Sequence, residues 1–370
     1  MRTLALLLAF GLAGCSSIQL GNPLGERDAT PPSLPITEAW ERDVQAAFGP
    51  SPATVTQRYV VVGTRRGEVV VLDRETGSTA GVGEFGDSVE GAIATSESGA
   101  VLYVSTAEQN GSVYALDVDS GRRLWRWRGG ASVAGVVRTG SVLVVPLLQS
   151  KVVALEAASG AVLWDLDLWA GGSGGAQYHA APVALEVEGG PAVLIASDDG
   201  GVAALRAVDG EPLWSYGAGA PIYATPTVAE GAVVVTTTRG AVVVLEAETG
   251  RARWRVQTDG VLRASPAAVS DGLVVVGFTD GTVRAFDLED GAERWRYRTD
   301  GNVTATPVAV DDQIAVGTMD RRLVLLDRET GVETWSTELR GRVKSALGVG
   351  GGLLIALVEP RHVVAFQSVP

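Results

Sequence analysis

Two histidines, His179 and His362, and one cysteine, Cys15, are the whole stock of imidazole and thiol in 370 residues. A soft-metal centre needs several His or Cys ligands, so that chemistry is excluded. Hydrolysis by a Ser-His-Asp set would have to recruit one of the two imidazoles, and neither stands in a recognisable nucleophile setting. His362 follows Glu359-Pro360-Arg361 in a terminal hairpin and reads as structural. The 47 glycines offer no phosphate cradle, because no strand–glycine-loop–helix context surrounds them. No catalytic residue and no cofactor or metal site is therefore expected.

Cys15 has a chemical fate. Arg2 gives a short basic start, Leu4–Leu12 an apolar run, and Leu12-Ala13-Gly14-Cys15 a small-residue processing site ending on the thiol. Residues 1–14 read as an export signal, too short to span a membrane as a helix. The tetrapeptide resembles the bacterial lipobox, which implies lipidation of Cys15; the plain alternative is a signal peptide with an incidental Cys. Ser16, not Asp, comes next, a pattern that implies forwarding to the outer membrane. Residues 15–35, punctuated by Gly21, Pro23, Gly25, Pro31, Pro32 and Pro35, read as a flexible tether. With no other Cys in the chain, disulfides cannot staple its fold. The net charge of −13 disfavours nucleic acid and anionic lipid, and it also keeps an exported protein soluble.

The rest of the chain, 36–370, repeats one sentence: a turn Gly, an apolar run ending in Leu/Phe-Asp, an acidic turn closed by Gly, and Trp four residues later. The closing glycines are Gly77, Gly121, Gly160, Gly210, Gly250, Gly291 and Gly331. Four residues on stand Gly81, Trp125, Trp164, Trp214, Trp254, Trp295 and Trp335, spaced 44, 39, 50, 40, 41 and 40 apart. About four short strand signals fill each unit and helical stripes are missing, which is the arithmetic of a propeller blade. Within the unit at 265–295, Val283, Ala285 and Asp287 should alternate against Arg284 and Phe286. Each Trp should wedge between neighbouring sheets, with its ring N–H partnered. Trp40 lacks a Leu-Asp-turn-Gly before it, and the last strands lack a Trp after them. The two deficits are complementary. Residues 36–40 would complete the final blade, giving an all-β, eight-bladed propeller of four-stranded antiparallel blades closed by the N-terminal strand.

The 50-residue interval marks the long Gly-rich loop 165–181, which carries Trp169, Tyr178 and His179. Loops on a rigid scaffold are usual binding places, and Trp and Tyr are preferred anchors. The bland alternative is a loop folding its aromatics back over the ring.

The Ala-Leu-Asp-x-x-(Thr/Ser)-Gly-x-x-x-Trp repeat resembles the pyrroloquinoline-quinone-like propeller repeat over residues 36–370, with the first unit degraded at Gly81. One branch of that family, the quinone dehydrogenases, implies a quinone and calcium at the hub, a general-base Asp and a vicinal Cys pair; the Cys pair is absent here. A lipid-anchored ring without catalytic residues is similar instead to the propeller lipoproteins of outer-membrane β-barrel assembly. That resemblance implies a scaffold facing the periplasm that binds the barrel-inserting subunit, other assembly lipoproteins and unfolded outer-membrane proteins. It also implies contacts through acidic and Leu-x-Leu-Arg segments in inter-blade loops. Gln177 and His179 stand where acidic residues would be, so no contact residue carries over. A propeller lipoprotein serving another envelope complex is the second reading.

Overall fold

The computed structural model describes residues 30–108, 111–148, 150–168, 176–262, 267–269 and 272–369; Cys15 and Trp169 lie outside the described residues. Eight four-stranded antiparallel sheets succeed one another, and in seven of them the strands are consecutive in sequence. Blades 1 to 7 span Thr54–Glu84, Ala94–Arg128, Val137–Asp167, Val183–Gly217, Thr227–Gln257, Ala267–Arg298 and Val308–Glu338. Blade 8 joins the last three strands, Gly348–Gly350, Leu353–Val358 and His362–Ser368, to the first strand, Ile36–Asp43, as its outer edge. Ile36 pairs with Ser368 and Asp43 with His362, so the termini close the ring as expected. Thr30–Pro35 also lie against this blade. The Gly352 and Val369 amides donate to the Thr30 and Pro35 carbonyls, and the Ser33 amide donates to Ser368 Oγ.

The hydrophobic core is divided into eight clusters, each shared by two adjacent blades rather than held within one. The two middle strands of a blade are covered on both faces by their neighbours, so β-branched runs such as Val233-Val234-Val235 are buried without a break. This corrects the alternation expected at 282–287. Thr282 through Phe286 are all buried, Arg284 included, and only Asp287 is partly open. Sustained alternation marks the outer strands, whose far face meets water.

The structure also re-pairs the repeated Trp and Gly. The two lie four residues apart in sequence, but each indole packs on the turn glycine of the following blade. A Cβ at Gly331 would fall 2.5 Å from the Trp295 ring, and one at Gly250 would fall 2.4 Å from Trp214. Trp40, Trp125, Trp164 and Trp254 cover Gly77, Gly160, Gly210 and Gly291 in the same way. The turn Gly is thus required twice over, by a positive φ and by the ring lying on it. Each of these six indole N–H groups donates to the carbonyl of the residue just after the one that opens the next blade's repeat turn (Asp73, Glu156, Arg206, Glu246, Asp287 or Asp327), at 2.7–3.0 Å. Trp335 meets the edge of Phe366 in the closing blade instead, at a centroid distance of 6.2 Å.

The acidic turns behave as turn chemistry demands. Asp73, Asp117 and Asp327 accept from the hydroxyl and amide of Thr76, Ser120 and Thr330, and Asp287 accepts from Arg294 and then from the Glu289 amide. These bonds favour the carboxylate and hold all four below the ordinary 3.8. A lowered folded pKa contributes stability that is present above the unfolded value and lost as pH falls below it. The melting midpoint should therefore drop as pH is taken from about 5 to about 3. Replacing all four residues by Asn should flatten that drop, and an unchanged slope in a calorimetric pH series would contradict the assignment.

Candidate docking face

Among the described residues, the blade-to-blade connections and the turns between a blade's second and third strands lie on one face of the disc, as the antiparallel order of the strands requires. Paired amides tie these loops together: Asp198 donates to Gln177, Thr238 to Pro221, Thr279 to Val261, Met319 to Asn302 and Glu359 to Arg342. The acidic repeat turns form the opposite face, tied by a second set in which Ala207 donates to Pro191, Ala247 to Gly231 and Leu288 to Gly272. One face is thus built from repeat punctuation and the other from segments free to vary.

The described end of the long loop, residues 176–181, brings to that variable face part of what was expected. His179 is half-buried, and its ring sits 5.1 Å from that of Tyr223, an exposed side chain from the next inter-blade loop. Tyr178 does not project. It is fully buried between blades 3 and 4, and its hydroxyl donates to the Ser150 carbonyl at 3.2 Å. Burial, with the charges of Asp167, Asp199 and Asp198 behind it, pushes its phenol far above the ordinary value. The reading of Tyr178 as a surface anchor is thus corrected: its ring is part of the core. The reason is legible in the repeat. Tyr178, Ile222, Leu262, Val303 and Val343 hold one register position in successive inter-blade loops, and all five are buried. The next position, His179 and Tyr223, faces outward. Aligning the loops by their following Ala-x-Pro exchanges Tyr178 for Tyr223.

Acidic groups, absent from residues 168–181 of the long loop, come from its neighbours. Asp199, Asp259, Asp280 and Asp300 are exposed on this face across blades 4 to 7. Asp259 is fixed in place. Arg284, with a side chain only 5% exposed, donates to Asp259 at 3.0 Å, lies 3.7 Å from Asp280 and stacks over Phe278 at 4.5 Å. The Arg284 hydrogen bond holds the Asp259 carboxyl below its usual range. In sequence these aspartates read as ordinary turn residues, and only the ring brings them onto one side. Blades 8 and 1 expose Arg340, Arg342, Lys344, Arg361, Arg65 and Arg66 here, four of them ion-paired, to Glu41, Glu359, Asp43 and Glu90.

His362, next to Arg361, is half-buried. Its Nδ1 lies 2.9 Å from Glu41 Oε1, across the joint between the first and last strands. Among the described residues no three His, Cys, Asp or Glu side chains gather as metal ligands.

Eight blades of pyrroloquinoline-quinone-like repeats, closed by the N-terminal strand, define an eight-bladed β-propeller. The chain belongs to the family of the outer membrane protein assembly factor BamB, which matches residues 37–185, 149–312 and 280–369. It is 28% identical over 205 residues to the outer membrane protein assembly factor BamB of Moranella endobia (strain PCIT). That match takes in 50% of this chain and 49% of that protein, so the chain spans about half the length of the curated relative it matches. The crystal structure of BamB from Moraxella catarrhalis superposes with a TM-score of 0.76 at 22% identity, covering 90% of this chain and 100% of that one. A europium-containing methanol dehydrogenase superposes at 0.72 with 13% identity, covering 87% and 84%. At such identities the two structures establish the shared fold and nothing of function.

Proposed function

We propose that this chain is a non-enzymatic scaffold of outer-membrane β-barrel assembly, lipidated at Cys15, held at the outer membrane and facing the periplasm. The observation that carries this is the family match, which runs over nearly the whole ring. The partner is the barrel-inserting (BamA-like) subunit, alongside other assembly lipoproteins, with unfolded outer-membrane proteins as clients. Docking runs through the variable face. Tyr223 and His179 supply an aromatic anchor, with Trp169 on the same loop, and Asp199, Asp259 and Asp280 select a basic counter-surface. An extended client strand would add to a blade edge by β-augmentation.

Pull-down from detergent-solubilised membranes is the test. Recovery of a barrel-inserting subunit supports scaffold duty, and its consistent absence points to another envelope complex. The double variant Tyr223→Ala/His179→Ala should cut that recovery about tenfold or more, the cost of a lost aromatic anchor. The melting midpoint should be nearly unchanged, since Tyr223 is exposed. Full recovery with the double variant would move the docking site elsewhere. The dehydrogenase neighbour motivates one further check: adding quinone and calcium to the purified protein should give neither absorbance change nor heat of binding.

A further inference from the structure

Six blade interfaces hold an indole on the next blade's turn glycine; the interface between blades 1 and 2 does not. Gly81 occupies the Trp position of blade 1, opposite Val71. No atom lies within 4 Å of a Cβ placed on Gly81, and none within 4 Å of one placed on Gly121, the glycine that an indole would cover. The surroundings are open to match. Gly121 is exposed, whereas Gly77, Gly210, Gly250, Gly291 and Gly331 are buried. Leu116 is half-buried, whereas its counterparts Leu72, Leu155, Leu205, Leu245, Phe286 and Leu326 are fully buried. Val118, whose carbonyl corresponds to the six indole acceptors, is likewise half-open. The cluster between these blades is the smallest of the eight among the described residues.

We propose that this gap is a binding site for an indole ring, supplied by a tryptophan on an extended segment of another polypeptide. The six filled interfaces specify the occupant: a ring lying flat on the turn glycine, its N–H donating to the carbonyl of the residue after the turn Asp, here Val118. The route is specified too. The outer strand Thr79–Glu84 is the free edge of blade 1, its Val82 is exposed, and Gly81 puts no side chain in the way. A strand added along this edge can therefore turn a tryptophan into the slot, continuing the blade 1–blade 2 interface outward. This rests on the reading of the ring as a docking platform and names one kind of segment that it holds.

The test supplies the ring in two ways. Gly81→Trp carries it on the chain itself; its φ lies outside the positive region, so a side chain is tolerated there. This variant should raise the melting midpoint by a few degrees. In trans, calorimetry would use a nine-residue peptide of alternating Thr and Val with a central Trp, the same peptide with a central Ala, and N-acetyl-tryptophanamide. The Trp peptide should bind the wild type at least tenfold more tightly than the Ala peptide. Gly81→Trp should lose that preference, and Gly81→Ala, which adds one carbon to open space, should fold normally and retain it. A lowered midpoint for Gly81→Trp would show that the slot has no room. Equal binding of the two peptides, or a preference surviving in Gly81→Trp, would remove the slot as the site. N-acetyl-tryptophanamide binding as tightly as the Trp peptide would assign the slot to free aromatics and overturn the polypeptide. None of these outcomes depends on recovery of a barrel-inserting subunit, so failure here and failure of the scaffold reading are told apart.

Discussion

Truncating Trp254 to Ala should lower stability by about 3–5 kcal/mol, the range for large aromatic core deletions. Its ring fills the junction between blades 5 and 6, packing on Gly291 and beside Phe286 at 6.5 Å. Its N–H donates to Leu288 at 2.8 Å. Ala would leave a cavity where the next blade's glycine cannot move in, because Gly291 is held at positive φ by its own turn. The Leu288 carbonyl would also lose its donor, though water reaching it from the rim makes that the smaller loss, about 1 kcal/mol. Thermal unfolding of the variant beside the wild type reads the result. A midpoint within a degree of wild type would mean that the indole is not wedged between blades. Trp335→Ala, lacking the glycine beneath and the carbonyl opposite, should cost less.

Opening the ring should cost more than any single indole. A chain beginning at Val44 lacks Ile36 and Trp40, both buried, together with the whole outer strand of blade 8. Two large buried side chains alone represent about 6 kcal/mol or more, against a typical total stability of roughly 5–15 kcal/mol. The ion pairs at the joint, Arg340–Glu41 and Arg361–Asp43, involve mostly exposed partners and add little, about 0–1 kcal/mol each. Burial therefore decides. The strand His362–Ser368 would also be left as a bare edge, a template for association. The truncated chain should aggregate or melt far below the intact one, and adding a peptide of residues 30–43 should restore part of the loss. A cooperative melt close to that of the intact protein would show that seven sheets and an open three-stranded one suffice.

Much of the fold is legible in the sequence, for a physical reason. A blade is a local object: four strands within about forty residues, punctuated by Gly and Asp, leave their period in the chain. The count of eight comes from matching a Trp without a turn at one end to strands without a Trp at the other. The docking face is legible only in part. The 50-residue interval locates the long loop and its His179, but aromatic character weighed without the register of the repeat misplaces Tyr178. Tyr223, Asp259 and Arg284 escape notice because each looks like ordinary blade or turn sequence until neighbouring blades set them side by side.

Sequence by itself determined the repeat, the number of blades, the closure by the termini and the places where turns must bend, since all of these depend on near neighbours along the chain. Only the tertiary structure decided which blade each tryptophan serves, which side chains share a face and which blade interface the Trp missing at Gly81 leaves open. Those relations join residues thirty to fifty positions apart, and packing across blades fixes them rather than local conformational preference.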